Sequence, residues 1–132
     1  MADTFTNLLY HIIFSTKHRY PMIQPDWQQR LYAYLGGAIR GEKGRLLEIG
    51  GTSEHVHMLS KLSPAKALAK VIGDVKANAS KWINSQHLLS AKFAWQRGYS
   101  AFTVSESAVP AVRHYIRNQE THHRRMTFED EL

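Results

Sequence analysis

His55-Val56-His57 puts two imidazoles two residues apart in a short apolar run. On a β-strand, positions i and i+2 face the same way, roughly 7 Å apart, so both rings can grip one metal ion. Later in the chain Tyr115 and Gln119 stand four apart in a segment with helical patterning and therefore share a helix face. A phenol with a pKa near 10 is a weak nucleophile at pH 7. A divalent metal beside it can polarise a scissile phosphate, neutralise developing charge and fix the phosphorus in line with the phenol oxygen. Tyrosine-mediated phosphodiester cleavage would use His55 and His57 as metal ligands, Gln119 as a neutral oxygen ligand and Tyr115 as nucleophile. The His pair alone decides nothing, because eight His in 132 residues give about 0.5 such spacings by chance. Nor does spacing alone choose Tyr115 among six tyrosines.

The elements that must position these residues follow from patterning. Residues 7–16 are apolar and β-prone, as in a central strand buried on both faces. Asp26 is expected to cap a helix over 27–39 that ends at Gly41 and Gly44. Residues 45–49 read as a strand, 50–53 as a turn and 55–60 as the returning strand. Ser63-Pro64 is expected to open a long helix reaching about residue 84. Residues 93–104 are aromatic and strand-like, with Gly98 allowing a bend, and Ser105 or Ser107 caps a last helix over 108–122. The acidic tail 127–132 docks or frays. The order β-α-β-β-α-β plus a C-terminal helix carrying the tyrosine predicts an α+β, ferredoxin-like (RRM-like) antiparallel sheet. Strands one and three are central in that topology, so the His pair falls on a rigid strand.

Composition narrows the class. Seventeen Lys and Arg against 11 Asp and Glu give a net charge of +6, which favours a polyanionic partner such as nucleic acid. A hydrophobic content of 43% suits one globular domain over residues 1–132. The absence of cysteine excludes disulfides, thiolate metal sites and cysteine nucleophiles. No apolar run matches a membrane helix, and the first residues are acidic where a signal peptide is basic, so a cytoplasmic protein with no membrane partner is expected.

The ordered motifs extend well beyond the His pair. They run from Tyr10-His11-Ile12-Ile13-Phe14-Ser15-Thr16-Lys17 through Gly50-Gly51, Glu54-His55-Val56-His57 and Phe93-Ala94-Trp95-Gln96-Arg97-Gly98-Tyr99 to Tyr115-Ile116-Arg117-Asn118-Gln119 and His122-His123. This set resembles the small single-tyrosine HUH transposases of the IS200/IS605 type, including their REP-associated relatives, over nearly the whole chain. The resemblance implies that His55 and His57 are the HUH metal ligands, that Tyr115 forms a 5′-phosphotyrosine link to single-stranded DNA, and that Gln119 is the third ligand. It further implies Mg²⁺ or Mn²⁺ as cofactor and cutting and rejoining of single strands at subterminal hairpins in a bacterial or archaeal cell. The implied partner is a second copy in a homodimer, with the tyrosine helix completing the active site in trans. Glu54 stands where related sequences often carry Asp, which keeps the charge.

The same chemistry in a domesticated enzyme that processes REP hairpins is an alternative. A non-catalytic RRM-like nucleic-acid-binding module is another, opposed by the lack of an RNP-type aromatic motif. Expected DNA contacts are Lys76, Lys81, Lys92, Arg97, Arg113 and Arg117, with Arg124 and Arg125 also flanking the tyrosine helix. Trp95 and Tyr99 are candidates for stacking on bases, although Trp27, Trp82 and Trp95 fit packing roles better. His11 and His18 read as structural or phosphate-contacting. His122 and His123 point about 100° apart on a helix and share no ligand role.

Overall fold

The computed structural model describes residues 4–119. The expectations at residues 120–132, including His122, His123, Arg124, Arg125 and the acidic tail, lie outside the described residues. The elements are β1 (Leu8–Ser15), α1 (Pro25–Gly41), β2 (Arg45–Gly51), β3 (His55–Leu62), α2 (Leu68–Ser85), β4 (Ser100–Thr103) and α3 (Val109–Arg117). The strands form an antiparallel sheet in the order β2-β3-β1-β4. This is the expected split βαβ topology, with β1 and β3 side by side at the centre.

Strand alternation divides the two faces. Ile12, Phe14, Val56, Met58 and Leu62 turn to one side and join α1 and α2 in the main core. The helices contribute Leu31, Leu35, Ile39, Val71, Ile72, Val75, Ala79 and Ile83, spaced to form one apolar stripe on each. His11, Ile13, His55, His57 and Leu59 turn to the other side, where α3 packs on β2 and β3. The three tryptophans serve packing. Trp27 is buried against Phe93, Trp82 stacks on Tyr34 at 4.9 Å, and Trp95 meets Phe14 edge-on while its indole N–H donates to the Lys76 carbonyl.

Several boundaries differ from the sequence expectation for local reasons. Pro25 takes the first turn of α1, so Gln24 is the N-cap and Asp26 lies inside the helix. Ser63 does not cap α2. Its hydroxyl accepts the Ala65 N–H in a separate turn, Ala67 is extended, and α2 begins at Leu68. The residue after α1 with left-handed backbone is Lys43 (φ 68), whereas Gly44 is needed because a Cβ there would lie 2.7 Å from the Lys61 carbonyl oxygen. The 93–104 run is not one strand. Trp95 bridges to Thr16, the chain bulges outward at 96–99 with Gly98 at φ 84, and β4 resumes at Ser100.

Gly50 and Gly51 belong to β2 rather than to the turn. A Cβ on Gly50 would stand 2.2 Å from the Ile116 carbonyl oxygen, so helix backbone rests directly on strand backbone. Gly50→Ala is therefore expected to displace α3 and cost about 1–3 kcal/mol, the range for overpacking. Gly73→Ala, in α2 with nothing within 4 Å of the new methyl, is expected to stabilise by roughly 0.5–1 kcal/mol. Urea unfolding of the two variants measures both, and equal effects would remove the close-approach argument.

Candidate active site

The site is built where α3 crosses the β2–β3 hairpin. A register shift between Leu46 and Glu48 inserts Leu47 as an extra residue in β2. Glu48 then opposes Leu59 and faces α3, while Leu46 and Ile49 still pack on the core. Glu48 accepts hydrogen bonds from Arg113 Nε at 3.1 Å and Arg117 Nη2 at 2.9 Å. Burial alone would raise the Glu48 pKa, but the hydrogen bonds and charges of Arg117 and Arg113 together outweigh it and hold the carboxyl below its ordinary value. Two of the arginines expected to touch DNA, Arg113 and Arg117, are thus the clasp that fixes α3 to β2.

With α3 seated, the predicted chemical residues converge. His55 and His57 are fully buried on one face of β3, their rings 5.0 Å apart. Gln119, just past the end of α3, is buried with Oε1 3.3 Å from His55 Nε2, and its amide nitrogen donates to the Tyr115 carbonyl at 3.4 Å. The Tyr115 ring approaches His57 edge-on at 5.9 Å and His11 at 6.0 Å. Tyr115 and Gln119 lie over the His pair within the single chain described.

The opposite ring nitrogens are engaged too. His55 Nδ1 lies 3.1 Å from the Thr52 hydroxyl, and the Glu54 carboxylate is 3.9 Å away. His57 Nδ1 lies 2.8 Å from His11 Nε2. Burial pushes the His11 pKa down to about 4, so at neutral pH it is an uncharged imidazole with one donor and one acceptor nitrogen. Thr52 escaped the sequence reading, and His11, read there as structural or phosphate-contacting, was not linked to the His pair. The usable signal for His11 was its place on a central strand beside the His pair, facing the same way by alternation.

The expected DNA contacts scatter. Lys81, Lys92 and Arg97 line a shallow groove beside the C-terminal half of α2, away from α3. Lys76 also lines it, but its ammonium donates to the Gln96 and Gly98 carbonyls and burial lowers its pKa, so its principal contacts are structural. Among the described residues no cluster of three His, Asp or Glu could hold a metal. The donor set is two imidazoles and an amide oxygen. No helix among the described residues is long and apolar enough to cross a membrane.

A split βαβ sheet with a histidine pair on a central strand, covered by a tyrosine-bearing helix, has the build of a transposase domain. The chain belongs to the IS200-like transposases: the family model described as "Transposase IS200 like" matches residues 4–119. It is 27% identical over 124 residues to the transposase for insertion sequence element IS200 of Salmonella typhimurium, covering 90% of this chain and 81% of that protein. The Salmonella typhi transposase gives the same figures. Among solved structures, the fold is similar to a candidate transposase from Deinococcus radiodurans R1, with a TM-score of 0.72, 21% identity, and 90% and 95% of the two chains covered. It is also similar to a REP-associated tyrosine transposase bound to a REP hairpin, with a TM-score of 0.63, 12% identity, and 88% and 70% covered.

The Glu48 clasp carries a pH signature. A carboxyl held below its ordinary value contributes fully above about pH 4.3, the free glutamate value, and loses that contribution as pH falls through the lower folded value. The stability gap between wild type and Glu48→Gln is therefore expected to be largest near neutral pH and to close as pH falls below the free glutamate value and through the lowered folded one. Urea titrations across that range measure it, and a gap independent of pH would contradict the clasp.

Proposed function

We propose that this transposase cuts and rejoins single-stranded DNA at hairpin-bearing ends through a 5′-phosphotyrosine on Tyr115, with one divalent metal, Mg²⁺ or Mn²⁺, held by His55, His57 and Gln119. The observation that carries the reading is the burial of these three polar side chains together beneath the helix that presents Tyr115. Buried polar groups are costly unless hydrogen-bonded, and the partners that satisfy these three are themselves polar groups gathered at one point, Thr52, His11 and the Tyr115 carbonyl.

The donor set fits a metal. With Nδ1 of His55 turned to Thr52 and Nδ1 of His57 turned to His11, Nε2 is the natural ligand atom on each ring. The 3.3 Å between His55 Nε2 and Gln119 Oε1 is close to the separation of about 3.0 Å between adjacent ligands in an octahedral shell with bonds of 2.0–2.1 Å. All three donors are neutral, so the full divalent charge would face a phosphate. When bound, the metal supplies polarisation of the scissile phosphate and neutralisation of charge in the transition state.

The chain's own residues do the rest. The Tyr115 oxygen attacks phosphorus, loses its proton to solvent and forms an O–P bond as the P–O3′ bond breaks. The departing 3′ oxygen takes up a proton. One phosphodiester replaces another, so no nucleotide triphosphate is required, and the reverse attack by a 3′-hydroxyl rejoins DNA and frees Tyr115. His11 and Thr52 orient the ligand imidazoles, and the Glu48 clasp with Gly50 sets the height of Tyr115 above them.

A homodimer is proposed as the assembly. A trans site would keep every contact described here but draw α3 from the partner copy. The RRM-like binding module is the weaker reading, because α3 covers the half of the sheet bearing β2 and β3.

Incubating the protein with labelled single-stranded DNA from its own element's end and Mn²⁺ is expected to give a covalent adduct. Tyr115→Phe should abolish it, and His57→Ala or EDTA should reduce it by at least about 100-fold, as for loss of a metal ligand. No adduct from wild type on any end-derived hairpin would sink the catalytic reading. A Tyr115→Phe protein that still forms one would move the nucleophile elsewhere. Mixing Tyr115→Phe with His57→Ala restores adducts if the site forms in trans and not if it stays in cis.

A further inference from the structure

We propose that the half of the catalytic sheet face left open by α3, formed by β4 and the 96–99 bulge, is a stacking platform for the unpaired nucleotides flanking the scissile phosphate. This rests on the reading of Tyr115 as the nucleophile. Phe102 pairs directly with His11 across β4 and β1, so the two side chains stand on the same face. His11 in turn contacts both His57 and Tyr115. A phenylalanine that is 52% exposed therefore stands next to His11, which contacts the group proposed to attack DNA, and Tyr99, 39% exposed, lies just before β4.

Lone exposed aromatics are common and need no explanation. Three further observations set this pair apart. A cleft of about 340 Å³ opens between the 96–99 bulge and the end of β1, lined by Arg97, Gly98, Tyr99 and Ser100 on one side and by Ile13, Phe14 and Ser15 on the other. Ile13 is the register partner of His57, so the cleft starts one strand from the metal ligands. The bulge is also held rigidly from beneath. The Lys76 ammonium donates to two of its carbonyls, the Gln96 N–H donates to the Ser15 carbonyl, and the Gln96 side chain accepts the His18 N–H. A half-buried cation spent on backbone carbonyls fixes the loop, and Arg97 is left exposed on it.

Aromatic faces with nearby cations suit single strands, whose unstacked bases offer a π-face whatever the sequence. The net charge of +6 matches that occupant and opposes close approach of a second equally charged copy at the same patch.

The test is binding without chemistry. Fluorescence anisotropy with oligothymidine in EDTA is expected to give Phe102→Ala and Tyr99→Ala affinities roughly 5- to 100-fold weaker than wild type. Phe102→Trp should retain affinity, and all proteins should bind a duplex alike. With wild-type protein, irradiation of an end-derived strand carrying 5-iododeoxyuridine beside the cleavage position is expected to crosslink Phe102 or Tyr99. Wild-type affinity in both alanine variants, an equal loss on duplex, or crosslinks confined to other residues would overturn the platform. So would conversion of a wild-type dimer to monomer by Phe102→Ala, which would assign the patch to contact between copies. Because these readouts need no cleavage, they stand or fall separately from adduct formation.

Discussion

The arrangement depends on one close approach, helix backbone against strand backbone at Gly50. Ile116 places its carbonyl where any side chain at position 50 would intrude, and Ile116 sits between Tyr115 and Gln119 in sequence. Lifting α3 by the thickness of a methyl group would therefore withdraw the phenol and the amide together from the imidazoles. The bulge at Leu47 serves the same seat. One inserted residue turns Glu48 from the core side to the helix side, where it meets two arginines one helical turn apart. Glycine sets the height and the carboxylate sets the rotation.

Beneath that helix the geometry is fixed by hydrogen bonds rather than by apolar packing. Each ring of the His pair is tied at Nδ1 by a different partner, Thr52 from the β2–β3 turn and His11 from β1. Orientation of a ligand imidazole through its second nitrogen is a general device of metal sites. Here it links two neighbouring structures, the turn and the central strand, to one reaction centre. Burial lowers the His11 pKa, so a neutral ring would adjoin the proposed metal rather than a second positive charge.

Much of this was legible in the sequence, and the misses have physical causes. Strand alternation correctly put His55 and His57 on one face, and helical spacing put Gln119 beneath Tyr115, because both depend only on local periodicity. The topology followed from element order. What failed depended on contacts between segments. Gly50-Gly51 looks like a turn, and only the packing of α3 reveals why a strand needs those glycines. Glu48 looks like a surface carboxylate because the bulge that redirects it leaves no mark in the alternation. Lys76 looks like a DNA contact until the carbonyls of the 96–98 segment are in view. His11 reads only as structural or phosphate-contacting, because the partner that links it to the site lies 46 positions away.

These contacts also rank the elements by how firmly they are held. α1 and α2 bury long apolar stripes against the sheet, whereas Ile116 is the one fully buried residue of α3. The rest of its attachment is a partly exposed ion-pair clasp, which contributes modestly in water. The element that carries the proposed nucleophile is thus the least strongly anchored of the three described helices. On the proposed mechanism, that weakness suits a helix that holds a covalently attached DNA end and later releases it. The seat itself is compatible with exchange: Gly50, Glu48 and the His pair all lie on β2 and β3, and any copy of α3 that reaches them finds the same contacts. A rigid socket with a lightly held helix can therefore assemble one chemistry in cis or in trans, with the path from β4 to α3 deciding which.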